Sequence, residues 1–142
     1  MERLMTPKDY LETIAEDLAD LTREEKLLTL RDYGEQLPPM DDTLKTEENM
    51  VPGCASATYI VCHHNPDGTL HFIGDSQSFI SKGYIYVLTQ AFNGCTPQEL
   101  ANSQDYVQAF AEKTGVRLSM IASRANVFER IYHFMQMKAL AQ

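Results

Sequence analysis

Asn65-Pro66-Asp67-Gly68 stands between two runs of β-branched and aromatic residues, Thr58 to Cys62 and Thr69 to Ile73. Proline presets the backbone for a tight turn and glycine closes it, so the stretch predicts a β-hairpin. The chain on either side reads as helices and loops. A small antiparallel sheet packed against several helices follows, an α+β fold in one domain spanning residues 1–142. That length is enough to bury roughly two thirds of the unfolded surface without disulfides or metals.

The helical segments are bounded by recognisable ends. Thr6-Pro7-Lys8-Asp9 opens the first, with Thr6 as N-cap and Pro7 at the first helical position; Tyr10, Leu11, Ile14 and Leu18 recur on one face. Thr22-Arg23-Glu24-Glu25 is a capping box for a second helix, with Leu27, Leu28 and Leu30 as its buried stripe and Gly34 as its stop. The two make a hairpin. Leu37-Pro38-Pro39-Met40 and the polar residues 41 to 49 then form a loop. Gly74-Asp75-Ser76 is expected to close the second strand and cap a helix over Gln77 to Phe92, which packs on the sheet through Phe79, Ile80, Tyr84 and Leu88. Asn93-Gly94 ends it, and Thr96-Pro97-Gln98-Glu99 caps a short helix. Ser103 starts another, ending at Gly115; Leu118 to Ile121 is a short connector; Ser123 caps a last helix bearing Val127, Phe128, Ile131, Phe134, Met135 and Leu140.

Charge narrows the partners. Of the net −8, residues 1 to 50 supply 14 acidic and 6 basic side chains, and residues 51 to 142 supply 6 of each. An acidic balance argues against nucleic acid and anionic membrane, because phosphate binding needs clustered Lys and Arg. The acidic third reads as solvated helix faces, with docking onto a basic protein surface as the alternative. Three cysteines, an odd number in separate contexts, fit free thiols in a reducing compartment. With no signal-peptide layout and no apolar run near the roughly 18 residues a bilayer crossing needs, the expected location is cytoplasmic.

Chemistry concentrates in Met50-Val51-Pro52-Gly53-Cys54-Ala55-Ser56-Ala57-Thr58. Pro52 biases Val51 towards extended backbone, and Gly53 can adopt positive φ, so the chain can turn sharply and present Cys54 at a tip. The opposing reading is a small apolar residue packed under the sheet. Cys54 has no CxxC partner, so it would act alone. Cys62 and Cys95 read as structural. Cys54, Cys62, His63, His64 and Cys95 are potential zinc ligands, but their spacing matches no paired zinc pattern, and the histidines read as exposed residues beside a turn. A cysteine hydrolase would need a histidine oriented beside the nucleophile, which no motif here encodes. Gly74-Asp75-Ser76 lacks the spacing of a phosphate loop.

Taken in order, Gly34-Glu35-Gln36-Leu37-Pro38, Val51-Pro52-Gly53-Cys54-Ala55-Ser56, Phe72-Ile73-Gly74-Asp75-Ser76, Ile80-Ser81-Lys82-Gly83, Gly94-Cys95-Thr96-Pro97-Gln98-Glu99 and Ser123-Arg124-Ala125-Asn126 resemble the SufE family, to which CsdE belongs. The resemblance implies the α+β fold shared with IscU-type scaffolds and a sulfur acceptor for iron-sulfur cluster assembly. Such a protein takes sulfur from a PLP-dependent cysteine desulfurase of the SufS or CsdA type and passes it to a SufB-containing scaffold; it holds no cofactor or metal of its own. It is a partner and activator of that enzyme rather than a stand-alone one. The carry-over makes Cys54 the persulfide-forming residue and assigns Gly53, Ser56, Asp75, Lys82, Arg124 and Asn126 to the cysteine loop or the docking face. Family members often have Gln at the position of Ala55, Val at that of Ser81, and Gly-Leu where this chain has Val127-Phe128, departures that bear on which desulfurase is recognised. A cysteine-nucleophile hydrolase, a metal or cluster scaffold and a purely structural adapter are the competing functions.

Overall fold

The computed structural model describes residues 5–115 and 127–141. The elements run α1 (Pro7–Ala19), α2 (Arg23–Glu35), two single 3₁₀ turns (Asp42–Leu44 and Glu47–Asn49), β1 (Thr58–His64), β2 (Leu70–Ser76), α3 (Phe79–Phe92), α4 (Pro97–Ala101), α5 (Gln104–Thr114) and α6 (Val127–Leu140). The two strands form one antiparallel hairpin with Val61 opposite Ile73 and Thr58 opposite Ser76. A lone hairpin is marginal in water. Here α3 covers it, and α6 packs against β1.

The expected ends are present where side-chain chemistry is local. Thr6 accepts from Asp9 N, and Thr22 and Thr96 each complete a capping box with Glu25 and Glu99. The loop at the hairpin tip is held by Asp67, whose Oδ1 accepts from the Thr69 amide at 3.0 Å and its hydroxyl at 2.6 Å. Those bonds hold the Asp67 carboxyl below its ordinary range.

Tertiary packing moves other boundaries. Both strands are two or three residues longer than the turn signals suggest: His63 and His64 belong to β1, and Gly74-Asp75-Ser76 is strand, so α3 starts at Phe79 with Ser78 as its cap. Gly34 does not stop α2. It is buried inside the helix where α2 meets α3, and an added Cβ would lie 2.7 Å from Lys82 Cβ, while one on Gly83 would strike the Leu30 carbonyl. The missing side chains let two backbones touch. With the contact made there, Leu28 on α2 is exposed, as are Phe79 and Leu140, all three expected in the core. Arg31 instead stacks its guanidinium over the Phe79 ring.

The core lies between the hairpin, α3 and α6. Ile60, Leu70, Ile85, Leu88, Phe92 and Ile131 are fully buried, and Tyr84 meets Phe128 edge to face with centroids 5.6 Å apart. Ser103 does not cap α5 with its side chain. Its hydroxyl turns inward, donating to Leu100 O at 2.6 Å and meeting the Tyr132 hydroxyl at 2.5 Å. Leu118 to Ile121 and Ser123 lie outside the described residues.

Candidate functional site

The Cys54 segment is a loop closed at its base. Met50 forms an isolated antiparallel bridge with Tyr59, the Val51 amide donates to Thr58 O at 2.8 Å, and the Gln77 amide donates to Ala57 O at 3.1 Å. Buried Val51 anchors the entry, and buried Thr58 anchors the exit. Pro52, Gly53 and Ala55 face solvent while Cys54 and Ser56 are half-buried. Gly53 has φ +80°, which glycine adopts without steric cost. Cys54 packs partly against the core yet sits within an exposed turn.

A chain of hydroxyls supports that loop from below. The Ser78 amide donates to Ser76 Oγ at 3.1 Å, Ser76 Oγ and Thr58 Oγ1 lie 2.9 Å apart, and Thr58 Oγ1 donates to Ser56 O at 3.0 Å. Because the single Thr58 hydroxyl proton goes to Ser56, Ser76 is the donor between the two hydroxyls. Thr58, Ser76 and Ser78 are all buried, so these bonds are shielded from water and tie the start of α3 to the loop.

Asp75 lies opposite Tyr59 in the hairpin, close to the loop base. Its carboxylate meets Lys45 Nζ at 3.1 Å and Lys82 Nζ at 3.9 Å, and Lys45 also meets Asp42 at 3.2 Å. The two carboxylates, Asp75 first, raise the Lys45 ammonium above its ordinary value. The structure therefore brings Asp75 and Lys82 together and adds Lys45, which sequence reasoning did not single out. Arg124 and Asn126 lie outside the described residues.

Arg130, also missed from sequence, reaches the loop directly: Nη1 donates to the Gly53 carbonyl. It stands in the first turn of α6, 77 residues from Gly53 in the chain. No local pattern links them.

The remaining thiols and histidines lie elsewhere. Cys95 is completely buried, and burial pushes the Cys62 thiol up to about 11. His63 and His71 face each other near the hairpin turn, and His64 Nε2 lies 2.9 Å from Ala139 O. At a strand rise of ~3.3 Å per residue, those histidines of β1 sit roughly 17 Å or more from its Thr58 end. His133 pairs with Gln136, whose amide reaches Leu100 O beside α4. Among the described residues, no three His, Cys, Asp or Glu side chains are grouped to hold a metal ion, and no helix is long and apolar enough to cross a membrane.

The SufE family, described as an Fe-S metabolism associated domain, matches residues 12–139. The chain belongs to the SufE family. An uncharacterised SufE-like protein of Synechocystis sp. is 40% identical over 109 residues, covering 77% of this chain and 66% of that protein, so the chain spans just under two thirds of its relative. A hypothetical protein of Thermus thermophilus, solved in solution, superposes with a TM-score of 0.70 at 17% identity over 97% of this chain and 100% of that one. That likeness supports the α+β fold alone. Family membership places this SufE domain in iron-sulfur metabolism.

Proposed function

We propose that this SufE-family protein is a persulfide carrier: Cys54 accepts sulfane sulfur from a cysteine desulfurase of the SufS or CsdA type and delivers it to a SufB-containing scaffold in the cytoplasm. The observation that carries the reading is the half-buried Cys54 in a solvent-facing turn whose base is clamped by Val51, Thr58 and Gln77. A lone thiol suffices. The Cys54 thiolate attacks the terminal sulfur of the donor persulfide; the new S–S bond forms as the donor's S–S bond breaks, and the donor cysteine leaves as thiolate with the electron pair. Atoms and charge balance with no outside oxidant. Partial burial shelters the product from passing thiols, and the exposed Pro52-Gly53 side gives a partner access.

The hydrolase reading finds less support, because His63, His64 and His71 crowd the far end of the hairpin and His133 is engaged with Gln136. Asp75, Lys82 and Lys45 act as a supporting ion cluster at the loop base, with Gly53 and Ser56 shaping the turn; Arg124 and Asn126 are assigned to the same face on family resemblance.

Intact-mass analysis after incubation with an active SufS-type desulfurase and cysteine tests this. A gain of about 32 Da per sulfur, reversed by reductant and absent in Cys54→Ser, is expected from the exchange chemistry. Cys54→Ser exchanges a single atom, so the variant should unfold within about 1 kcal/mol of wild type. No mass gain with an active cognate donor would end the carrier reading.

A further inference from the structure

We infer that Arg130 is a positioning residue that fastens the Cys54 loop to α6, a role that rests on the carrier reading. Its anchor is rigid: neighbours Val127, Phe128 and Ile131 are buried, so the first turn of α6 is held in the core. From that base the guanidinium donates to the carbonyl of Gly53, the carbonyl of the very peptide group that supplies the Cys54 amide. It also lies flat against the glycine. A Cβ on Gly53 would stand 3.2 Å from Cζ, 3.2 Å from Nε and 3.3 Å from Nη1, nearly equidistant from three guanidinium atoms. Gly53 takes a φ of +80° that glycine adopts freely, and a Cβ there would press on the guanidinium.

The consequence is a loop pinned at its tip as well as its base. The base contacts are main-chain bonds at Val51, Thr58, Ala57 and Gln77, which hold the loop's ends. Arg130 holds the Pro52-Gly53 crest from the opposite element. A guanidinium can exchange a carbonyl for a partner's carboxylate or carbonyl, so the fastening is one that docking can undo, letting Cys54 extend towards a donor persulfide. The same contact keeps a fixed positive charge within one residue of the thiol.

Arg130→Met removes the donor and the charge while keeping much of the stem; Arg130→Lys keeps charge and a donor but loses the plane. The test is alkylation of Cys54 by iodoacetamide in free protein at pH 10, read by peptide mass spectrometry so that Cys62 and Cys95 are scored separately. A free thiol with a pKa of about 8.5 is mostly ionised at that pH, so the rate reports access rather than charge. Arg130→Met should react about three to ten times faster than wild type, with Arg130→Lys between them. Hydrogen exchange of the 50–57 segment should quicken in the same order, and the Cys54 persulfide should be lost sooner to added glutathione.

Equal alkylation and equal exchange in all three proteins would overturn the role. If Arg130→Met melts early, Arg130→Lys decides: faster Cys54 alkylation at an unchanged melting temperature supports the fastening, and a wild-type rate rejects it. Alkylation and exchange require no desulfurase. A Cys54 that never accepts sulfur would thus end the carrier reading while leaving the fastening measured.

Discussion

Where α2 crosses α3, Gly34 and Gly83 bring two backbones into contact beside buried Leu30, with no room for a side chain on either glycine. At the Cys54 loop, proximity is kept instead by backbone hydrogen bonds, a file of buried hydroxyls and one guanidinium. The first arrangement is held by packing, which is indifferent to partners. The second is held by polar groups, of which the Arg130 contact with Gly53 faces solvent and the Thr58 and Ser76 hydroxyls are buried. The contrast sets a firmly packed helix crossing beside a thiol-bearing loop held by polar contacts.

The contrast is most exposed at the crossing itself. Gly83→Ala should lower stability by about 2 kcal/mol in urea unfolding, because overpacking against the Leu30 carbonyl outweighs the ~1 kcal/mol that alanine adds in an ordinary helix. A variant as stable as wild type would mean that the crossing opens readily, and the distinction between the regions would fail. A smaller loss, about 1 kcal/mol, is expected for Tyr132→Phe, which removes the buried hydroxyl that meets Ser103 at 2.5 Å and accepts from Gln136 at 3.1 Å. Should this change leave stability untouched, buried polar contacts outside the loop contribute nothing and the core is apolar in effect.

The smallest effect is alkaline. Burial holds the Cys62 thiol at about 11 against an ordinary 9.0, so the folded protein keeps a proton that the unfolded chain releases. Its contribution is whole below pH 9 and is lost as pH rises towards 11. The melting temperature of Cys62→Ala should therefore fall less steeply than that of wild type across that interval. Parallel curves would show that the half-buried side of β1 is wetter than its packing suggests.

Legibility followed the range of the interactions. The caps at Thr6, Thr22 and Thr96, the turn at Asn65 to Gly68 and the positive φ at Gly53 were readable because each depends on residues within a few positions of one another. Strand ends were not: Gly74-Asp75-Ser76 has the composition of a loop but pairs with Ile60, Tyr59 and Thr58 across the hairpin. Gly34 looked like a helix stop, since glycine commonly is one, and became a contact point only when Gly83 arrived opposite it. Phe79 and Leu140 fit an apolar period yet lie beyond the edge of what the core covers.

Sequence alone determined the hairpin, the helix starts capped by Thr6, Thr22 and Thr96, and the α+β class, because backbone preference and capping chemistry act over a turn or two of chain. The tertiary structure decided that Lys45 joins Asp75 and Lys82, that hydroxyls from β1 and β2 and the Ser78 amide ahead of α3 line up beneath the loop, and that Arg130 reaches Gly53. Those contacts join elements far apart in sequence, and their partners are set by how helices pack on the sheet rather than by any local spacing.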